Sequence, residues 1–370
     1  MLKKVKQERF VWMDIFITLL ALEIMAYFYY GFRAVLIAGL CVTASFACEY
    51  LSLIAMRKKF TADNLSCIND GFIIALMMPA TIDYKIPALT CIFANIVGKN
   101  IFGGRKNMIF SPAAVGYLFA LTSFGKQLLE YPNPFVKADI FNQSQKLVSS
   151  ASHIFNTTGK LSISDYDIVM GNFSGPMGAV SILLLLISSV ILLFRKDLSA
   201  GSFIGFFAGL MFMSAICPIG EGRIESAKYL LATNMTLFAG SFIISDVRIA
   251  PEKKHFSFFY GLFIALISYV LLLTSGQENI YITVAVIMTP AALALKQLEK
   301  KINKLSESEN AASTEINTDE KIQETDENMN KTISEIAEDA VDEINKMSES
   351  KNEEESNIAE TQGDDLNDVD

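Results

Sequence analysis

FVWMDIFITLLALEIMAYFYY, residues 10–30, is the stretch whose reading decides the fold. It is an apolar run broken only by Asp14 and Glu23, and about 20 such residues cross a bilayer as one helix. The nine residues before it, MLKKVKQER, are basic. A cleavable signal peptide has a shorter apolar core and a small-residue cleavage site. This run continues to Tyr30, so it is read as a first span that is retained. Nine further runs follow, at roughly 34–56, 68–83, 86–104, 109–125, 176–194, 200–218, 227–246, 256–275 and 279–297. The third is short, opens near Asp70 and contains Pro79. That pattern predicts a broken helix held inside the protein, where irregular backbone is tolerated.

Composition agrees with an all-α polytopic membrane protein. Of 370 residues, 51% are hydrophobic and 19% charged, too apolar for an ordinary soluble chain of this length. The net charge of −9 averages two unlike parts. Residues 303–370 hold 22 of the 40 acidic residues and 5 of the 31 basic ones, so the tail carries −17 and residues 1–302 carry +8. The basic residues of the body fall in short clusters between apolar runs. They do not line one polar face, which excludes a nucleic-acid binder.

The positive-inside rule orients the spans. With the N-terminus in the cytoplasm, the cytoplasmic segments contain Lys3, Lys4, Lys6 and Arg9, then Arg57–Lys59, then Lys99, Arg105 and Lys106. They continue with Arg195 and Lys196, with Arg248, Lys253 and Lys254, and with Lys300, Lys301 and Lys304. The outer segments hold scattered charges such as Arg33 and Lys85. The predicted topology therefore has ten spans with both ends inside. The long outer loop 126–175 divides them into a first half, 10–125, and a second half, 176–297. Five spans per half make the halves antiparallel, the arrangement of inverted-repeat transporters. The halves echo each other: Phe110-Ser111-Pro112 with Gly116-Tyr117-Leu118-Phe119 in one, Ala250-Pro251 with Tyr260-Gly261-Leu262-Phe263 in the other.

Several chemistries are excluded. The five cysteines form no CxxC pair and read as small buried hydrophobes. The two histidines, His153 and His255, lie far apart, so no metal or haem site is expected. No P-loop and no dinucleotide-binding glycine pattern is present. The acidic tail lacks the apolar residues to fold alone. One stretch, 332–350, spaces Ile333, Ile336, Ala337, Ala340, Val341, Ile344 and Met347 helically, and is read as a helix that could dock on a cytoplasmic partner or as a solvated tail.

Lys99-Asn100-Ile101-Phe102-Gly103-Gly104 followed by Phe110-Ser111-Pro112-Ala113 resembles the "GK-x-x-F-G-G … N-x-F-N-P-A" stretch of one family. That family comprises RnfD, a membrane component of the Rnf electron-transport complex, and its relative NqrB, from the sodium-translocating NADH:quinone oxidoreductase. Further segments match in order. Asp70-Gly71 with Leu76-Met77-Met78-Pro79 is similar to "D-G … LL-x-P". Gly175–Ser181 is similar to "G-S-x-G-E-T-S", Ser245–Pro251 to "T-D-P-V-T-S-P", and Gln277-Glu278-Asn279 stands at the final "E-G" loop. Met288-Thr289-Pro290 takes the place of "N-x-x-x-P". The resemblance covers about residues 10–300. It implies a multi-pass protein of the bacterial inner membrane, two inverted five-helix repeats similar to urea transporters, and partnership with the other subunits of an Rnf/Nqr-type complex. Such complexes couple flavin-mediated electron transfer to export of Na+ or H+.

The resemblance also implies FMN, phosphoester-linked to a threonine in an outer "D-x-x-S-G-A-T" motif, and a second, non-covalent flavin in the quinone-reducing branch. Here the motif reads Lys146-Leu147-Val148-Ser149-Ser150-Ala151-Ser152, so Ser152 stands at the attachment position, with Lys146 for the Asp and Ser150 for the Gly. On the cytoplasmic side, Gly103 and Gly104 allow backbone to approach a ligand, and Arg105 and Lys106 are suited to a phosphate. The competing reading is tight helix packing with anchoring cations. Ionisable groups inside spans are costly and often functional. Glu23, Glu49 and Asp70 are therefore the candidates for a cation path, with Asp14, Asn95 and Asn234 as further polar groups. The alternative is that each is buried and paired. The rival functions are a flavin-less transporter or channel-like protein on the same scaffold, and an assembly scaffold acting through the acidic tail.

Overall fold

The computed structural model describes residues 2–104, 108–135, 140, 146–160, 163–220, 222–233, 235–304, 328–332, 334, 336–338 and 341. Met1–Glu299 form one compact unit and Lys300–Asp370 a second. Most of the acidic tail and of the 332–350 segment lies outside the described residues. In the second unit, Ile336 and Val341 are exposed.

Gly31, with φ 81°, separates α1 (Leu2–Tyr30) from α2 (Phe32–Ala55) in a single residue, a turn that a side chain would strain. Then come α3 (Cys67–Met77), α4 (Lys85–Asn95) running into a π-helical turn at Ile96–Asn100, and α5 (Pro112–Leu128), whose proline takes the first turn. In the 126–175 loop, β1 (Glu130–Pro132) pairs antiparallel with β2 (Leu147–Ser149). Two short helices follow, α6 (Ala151–Thr158) and α7 (Asp165–Met170), N-capped by Ser150 and Ser164. Next are α8 (Ile182–Arg195), α9 (Ala200–Ile216), α10 (Arg223–Ala232), and α11 (Thr236–Ala239), which runs into a second π turn at Gly240–Ile244. The last helices are α12 (Lys254–Ser275), α13 (Ile280–Ile287) and α14 (Thr289–Lys304).

Each of the ten expected apolar runs contains helix, but few are unbroken. Among the described residues three helices are long and apolar enough to cross a membrane: Val11–Tyr30, Phe32–Ala55 and Lys254–Ser275. The count rises to five if α10 with α11 and its π turn, bent by 58°, and α13 with α14, bent by 44°, each form one span. Ile17 and Phe28 of α1, Leu51 of α2, Phe194 of α8 and Phe212 of α9 are exposed, while Glu49, Asp70 and Lys99 are buried. Apolar side chains outward and charges inward suit a chain whose surroundings are hydrocarbon.

Broken helices leave carbonyls without partners, and inside a bilayer these must be satisfied by protein. At the end of α3 two devices do so. The 176–181 segment donates the Gly178 N–H to Leu76 O at 2.7 Å and the Met177 N–H to Met78 O at 3.2 Å. A Cβ on Gly178 would lie 2.7 Å from Leu76 Cβ and 2.8 Å from Phe238 Cε2, so this approach needs glycine. The second device is Arg33, 2% exposed. Its guanidinium donates to Ala80 O at 2.8 Å, Ile82 O at 3.0 Å and Ile140 O at 3.0 Å, and lies 4.8 Å from the Tyr84 ring centre. A residue that reads from sequence as a scattered outer charge is thus the cap of the broken third run.

In the second half, α9 presents Gly201, Gly205 and Gly209 to α12, where a Cβ at Gly205 would overlap the Phe258 carbonyl and one at Gly261 the Ser202 carbonyl. Small residues every fourth position let two helix backbones touch. Ser257 bonds Ser199 at 2.5 Å and Ser202 at 2.8 Å across the seam. Replacing Arg33 by Met keeps the bulk but strands the 80–82 carbonyls, and is expected to cost about 2–4 kcal/mol. Thermal unfolding of the purified protein in detergent checks this; an unchanged midpoint would show that the break is satisfied without Arg33.

Candidate functional site

The carboxylates expected to line a cation path occupy three different settings. Glu49 of α2 pairs with Lys99 at 3.0 Å, both almost wholly buried. Lys99 reaches inward from the π turn that ends α4, and the next residue donates from Asn100 Nδ2 to Ser52 Oγ at 2.8 Å. A π turn inserts one extra residue into the helix and is frequent at functional sites. Here it docks both side chains on α2. Cys67 at the start of α3 lies within electrostatic reach of Lys99, Asp70 and Glu49, so these groups share one region.

Asp70 of α3, fully buried, faces Arg248 with Nη2 at 3.6 Å from its Oδ1. Arg248 also grips Asp246 through Nε at 2.9 Å and Nη2 at 2.7 Å. Burial works against the guanidinium's charge; Asp246 and Asp70 overcome it and hold Arg248 charged. The segment is fixed further by Ser199 N–H to Ser245 O at 2.8 Å and Lys296 Nζ to Arg248 O at 2.7 Å. This cation follows the second π turn, as Lys99 lies in the first.

Glu23 of α1 is 5% exposed, and neither carboxylate oxygen has a hydrogen-bond partner among the described residues. It is not brought together with the two ion pairs. Asp14 takes Arg195 at 2.7 Å. Asn95 donates to Cys91 O at 2.9 Å, and Asn234 lies outside the described residues. Sequence reasoning does not single out Lys99, Asp246, Arg248 or Arg33 as site residues. Lys99 and Arg248 read locally as members of the cytoplasmic basic clusters, and nothing nearby in sequence distinguishes an anchoring cation from one folded back onto a distant carboxylate.

The two flavin candidates fare differently. Gly103 and Gly104 adopt φ 95° and 86°, Gly103 O accepts from Lys58 Nζ at 3.0 Å, and a Cβ on Gly104 would meet open space. Arg105 and Lys106 lie outside the described residues. Ser152, in the first turn of α6, is fully buried and donates to the carboxylate of Glu278, itself 2% exposed; Ser150 Oγ lies 3.1 Å away. Among the described residues no Lys or Arg pairs with Glu278. A phosphoester at Ser152 would put a second anion against a buried carboxylate that no Lys or Arg pairs with among the described residues, and the hydroxyl is fully buried. As arranged, these residues do not fit a covalently linked flavin. Among the described residues no group of three His, Cys, Asp or Glu side chains could hold a metal ion.

Removing one partner of a buried ion pair costs about 3–5 kcal/mol, because the other charge is left unpaired. Lys99→Met is expected to destabilise by that order, and adding Glu49→Gln to recover a large part of it. Denaturant or thermal unfolding of the three proteins measures this; equal loss in the single and double variants would mean that the pair does not carry the effect.

Comparison with known proteins identifies the family. The "NQR2, RnfD, RnfE family" model matches residues 2–295. The chain is 23% identical over 270 residues to the D subunit of the ion-translocating oxidoreductase complex of Pseudomonas paraeruginosa, covering 68% of this chain and 78% of that one. It is 27% identical over 215 residues to the B subunit of the Na(+)-translocating NADH-quinone reductase of Chromohalobacter salexigens, covering 54% and 52%. The counterpart of that reductase protein in Klebsiella pneumoniae is 30% identical over 204 residues, covering 52% and 48%. With a match across almost the whole helical unit, this chain belongs to the NQR2, RnfD, RnfE family.

Proposed function

We propose that this protein is a membrane subunit of an Rnf/Nqr-type ion-translocating electron-transport complex, working with the partner subunits that its relatives' names imply. The observation that carries the reading is the family match over residues 2–295, joined to the way charges are buried in the helical unit. Each half supplies one π turn and one inward cation, Lys99 in the first and Arg248 in the second, and each cation meets a carboxylate of α2 or α3. Paired charges inside a membrane unit are a costly feature retained at ion and proton pathways. Ten spans in two inverted five-helix halves, with both ends in the cytoplasm of a bacterial inner membrane, belong to the proposal. The two π turns support it, since each leads through a loop to a proline near the start of the next long helix, Pro112 and Pro251.

In this reading the chain works only with its partner subunits, since its sequence carries neither a dinucleotide-binding glycine pattern nor a CxxC pair. Any flavin it holds is non-covalent. The Gly103–Gly104 turn is the proposed place, with Arg105 and Lys106 next in sequence to balance a phosphate. The closed Ser152 favours the second reading, a flavin-less transporter on the same scaffold.

Purification from the native host in mild detergent separates the two. The first reading predicts co-purifying redox subunits and a denatured chain at its unmodified sequence mass; a solitary protein with no flavin absorbance would favour the transporter. A reporter fused after Lys301 is expected to be cytoplasmic, and a periplasmic reporter would overturn the ten-span topology.

A further inference from the structure

The contact that closes Ser152 is part of a larger buried polar cluster, built from four parts of the chain. Tyr117 comes from α5, Tyr131 from β1, Ser150 and Ser152 from the start of α6, and Glu278 with Asn279 from the loop between α12 and α13. All six are at most 2% exposed. Ser152 donates to Glu278, and the Ser150 and Ser152 hydroxyls are 3.1 Å apart. The Tyr131 hydroxyl bears on the Glu278 carboxyl, and the Asn279 amide reaches toward Tyr117 and Tyr131. Yet the Tyr131 hydroxyl and both polar atoms of Asn279 make no hydrogen bond of regular geometry. Buried polar atoms without partners are rare, and each calls for an occupant or an explanation.

The electrostatics call for the same occupant. Burial raises the Glu278 carboxyl above the usual carboxylate range, and the hydroxyls of Ser150, Ser152 and Tyr131 pull it back. His153, Tyr117 and Tyr131 are the titratable groups in reach, and the His153 Nδ1 lies 3.1 Å from Gly276 O. A buried carboxylate needs a positive partner. The side-chain oxygens gathered in the cluster are those of the Glu278 carboxylate, the Ser150 and Ser152 hydroxyls and the Tyr131 phenol, with Asn279 Oδ1 unpartnered beside them. Oxygen donors select hard cations, and one carboxylate balances one charge.

We propose that Glu278, Ser150, Ser152, Tyr131 and Asn279 form a binding site for a hard monovalent cation at the outer end of the helical unit. Its placement at the outer end rests on the topology proposed above; the site itself does not. The cation supplies a positive charge at the Glu278 carboxylate itself, and Asn279 Oδ1 and the Tyr131 hydroxyl gain a partner. The same site explains why Ser152 points at a carboxylate: its oxygen serves as a ligand rather than as an ester acceptor.

The test is thermal unfolding of the full-length purified protein in detergent, titrated with NaCl, LiCl or KCl against choline chloride at constant ionic strength. A saturable rise in midpoint with an alkali cation over choline, abolished in Glu278→Gln, supports the site. Should Glu278→Gln fail to fold, Ser152→Ala serves instead. Loss of one ligand hydroxyl is expected to raise the half-saturating concentration about 2- to 10-fold. A midpoint indifferent to the cation means that Glu278 carries a proton and overturns the proposal. So does a cation response unchanged in both variants. Co-purification of redox subunits is independent of this outcome, so either conclusion can fail without the other.

Discussion

A charge placed in hydrocarbon has to bring its own partner, and the link of Asp70, Arg248 and Asp246 is where this constraint shapes the fold most. Asp70 belongs to a short helix of the first half; Arg248 and Asp246 follow the second π turn. The guanidinium lies between them, 3.6 Å from one carboxylate and within 2.9 Å of the other. It joins segments far apart in sequence: the fully buried Asp70 carboxylate is costly without a cation, and Arg248, a quarter exposed, reaches in to supply one. Glu49 and Lys99 repeat the device within the first half.

The backbone obeys the same constraint. Where α3 stops, its carbonyls are met by the 176–181 segment and, in the stretch beyond, by Arg33. Non-helical backbone at membrane depth is confined to places where protein surrounds it. The tightest of these contacts is at Gly178, where nothing larger fits. Irregular segments and paired charges thus occur together: Lys99 lies in one π turn, Arg248 follows the other, and Arg33 bonds the carbonyls beyond α3.

Much of this is legible in the sequence. The apolar runs mark where helix forms, Pro79 marks the broken third run, and the ordered segments from Asp70-Gly71 to Gln277-Glu278-Asn279 identify the family. What is not legible follows from physics that a hydropathy window does not count. Runs 86–104, 227–246 and 279–297 are continuous in composition but pass through π turns or bends, because backbone hydrogen bonds, not apolarity, decide where a helix stays regular. Glu49 and Asp70 read either as candidates for a cation path or as buried, paired groups; not legible is that their partners are Lys99 and Arg248, cations whose local sequence looks like a cytoplasmic anchor. Ser152 reads as an attachment residue by position, and only the fold brings Glu278 against it.

If compensation of buried charge holds the helical unit together, the Asp70–Arg248 contact must carry coupling energy. The direct measurement is a double-mutant cycle with Asp70→Asn, Arg248→Gln and the double variant, read by denaturant unfolding of the purified protein. The account predicts that each single change is destabilising and that the double change costs less than their sum, by a coupling of about 1–3 kcal/mol. Strict additivity would contradict it, and would mean that the two groups, though adjacent, do not depend on each other.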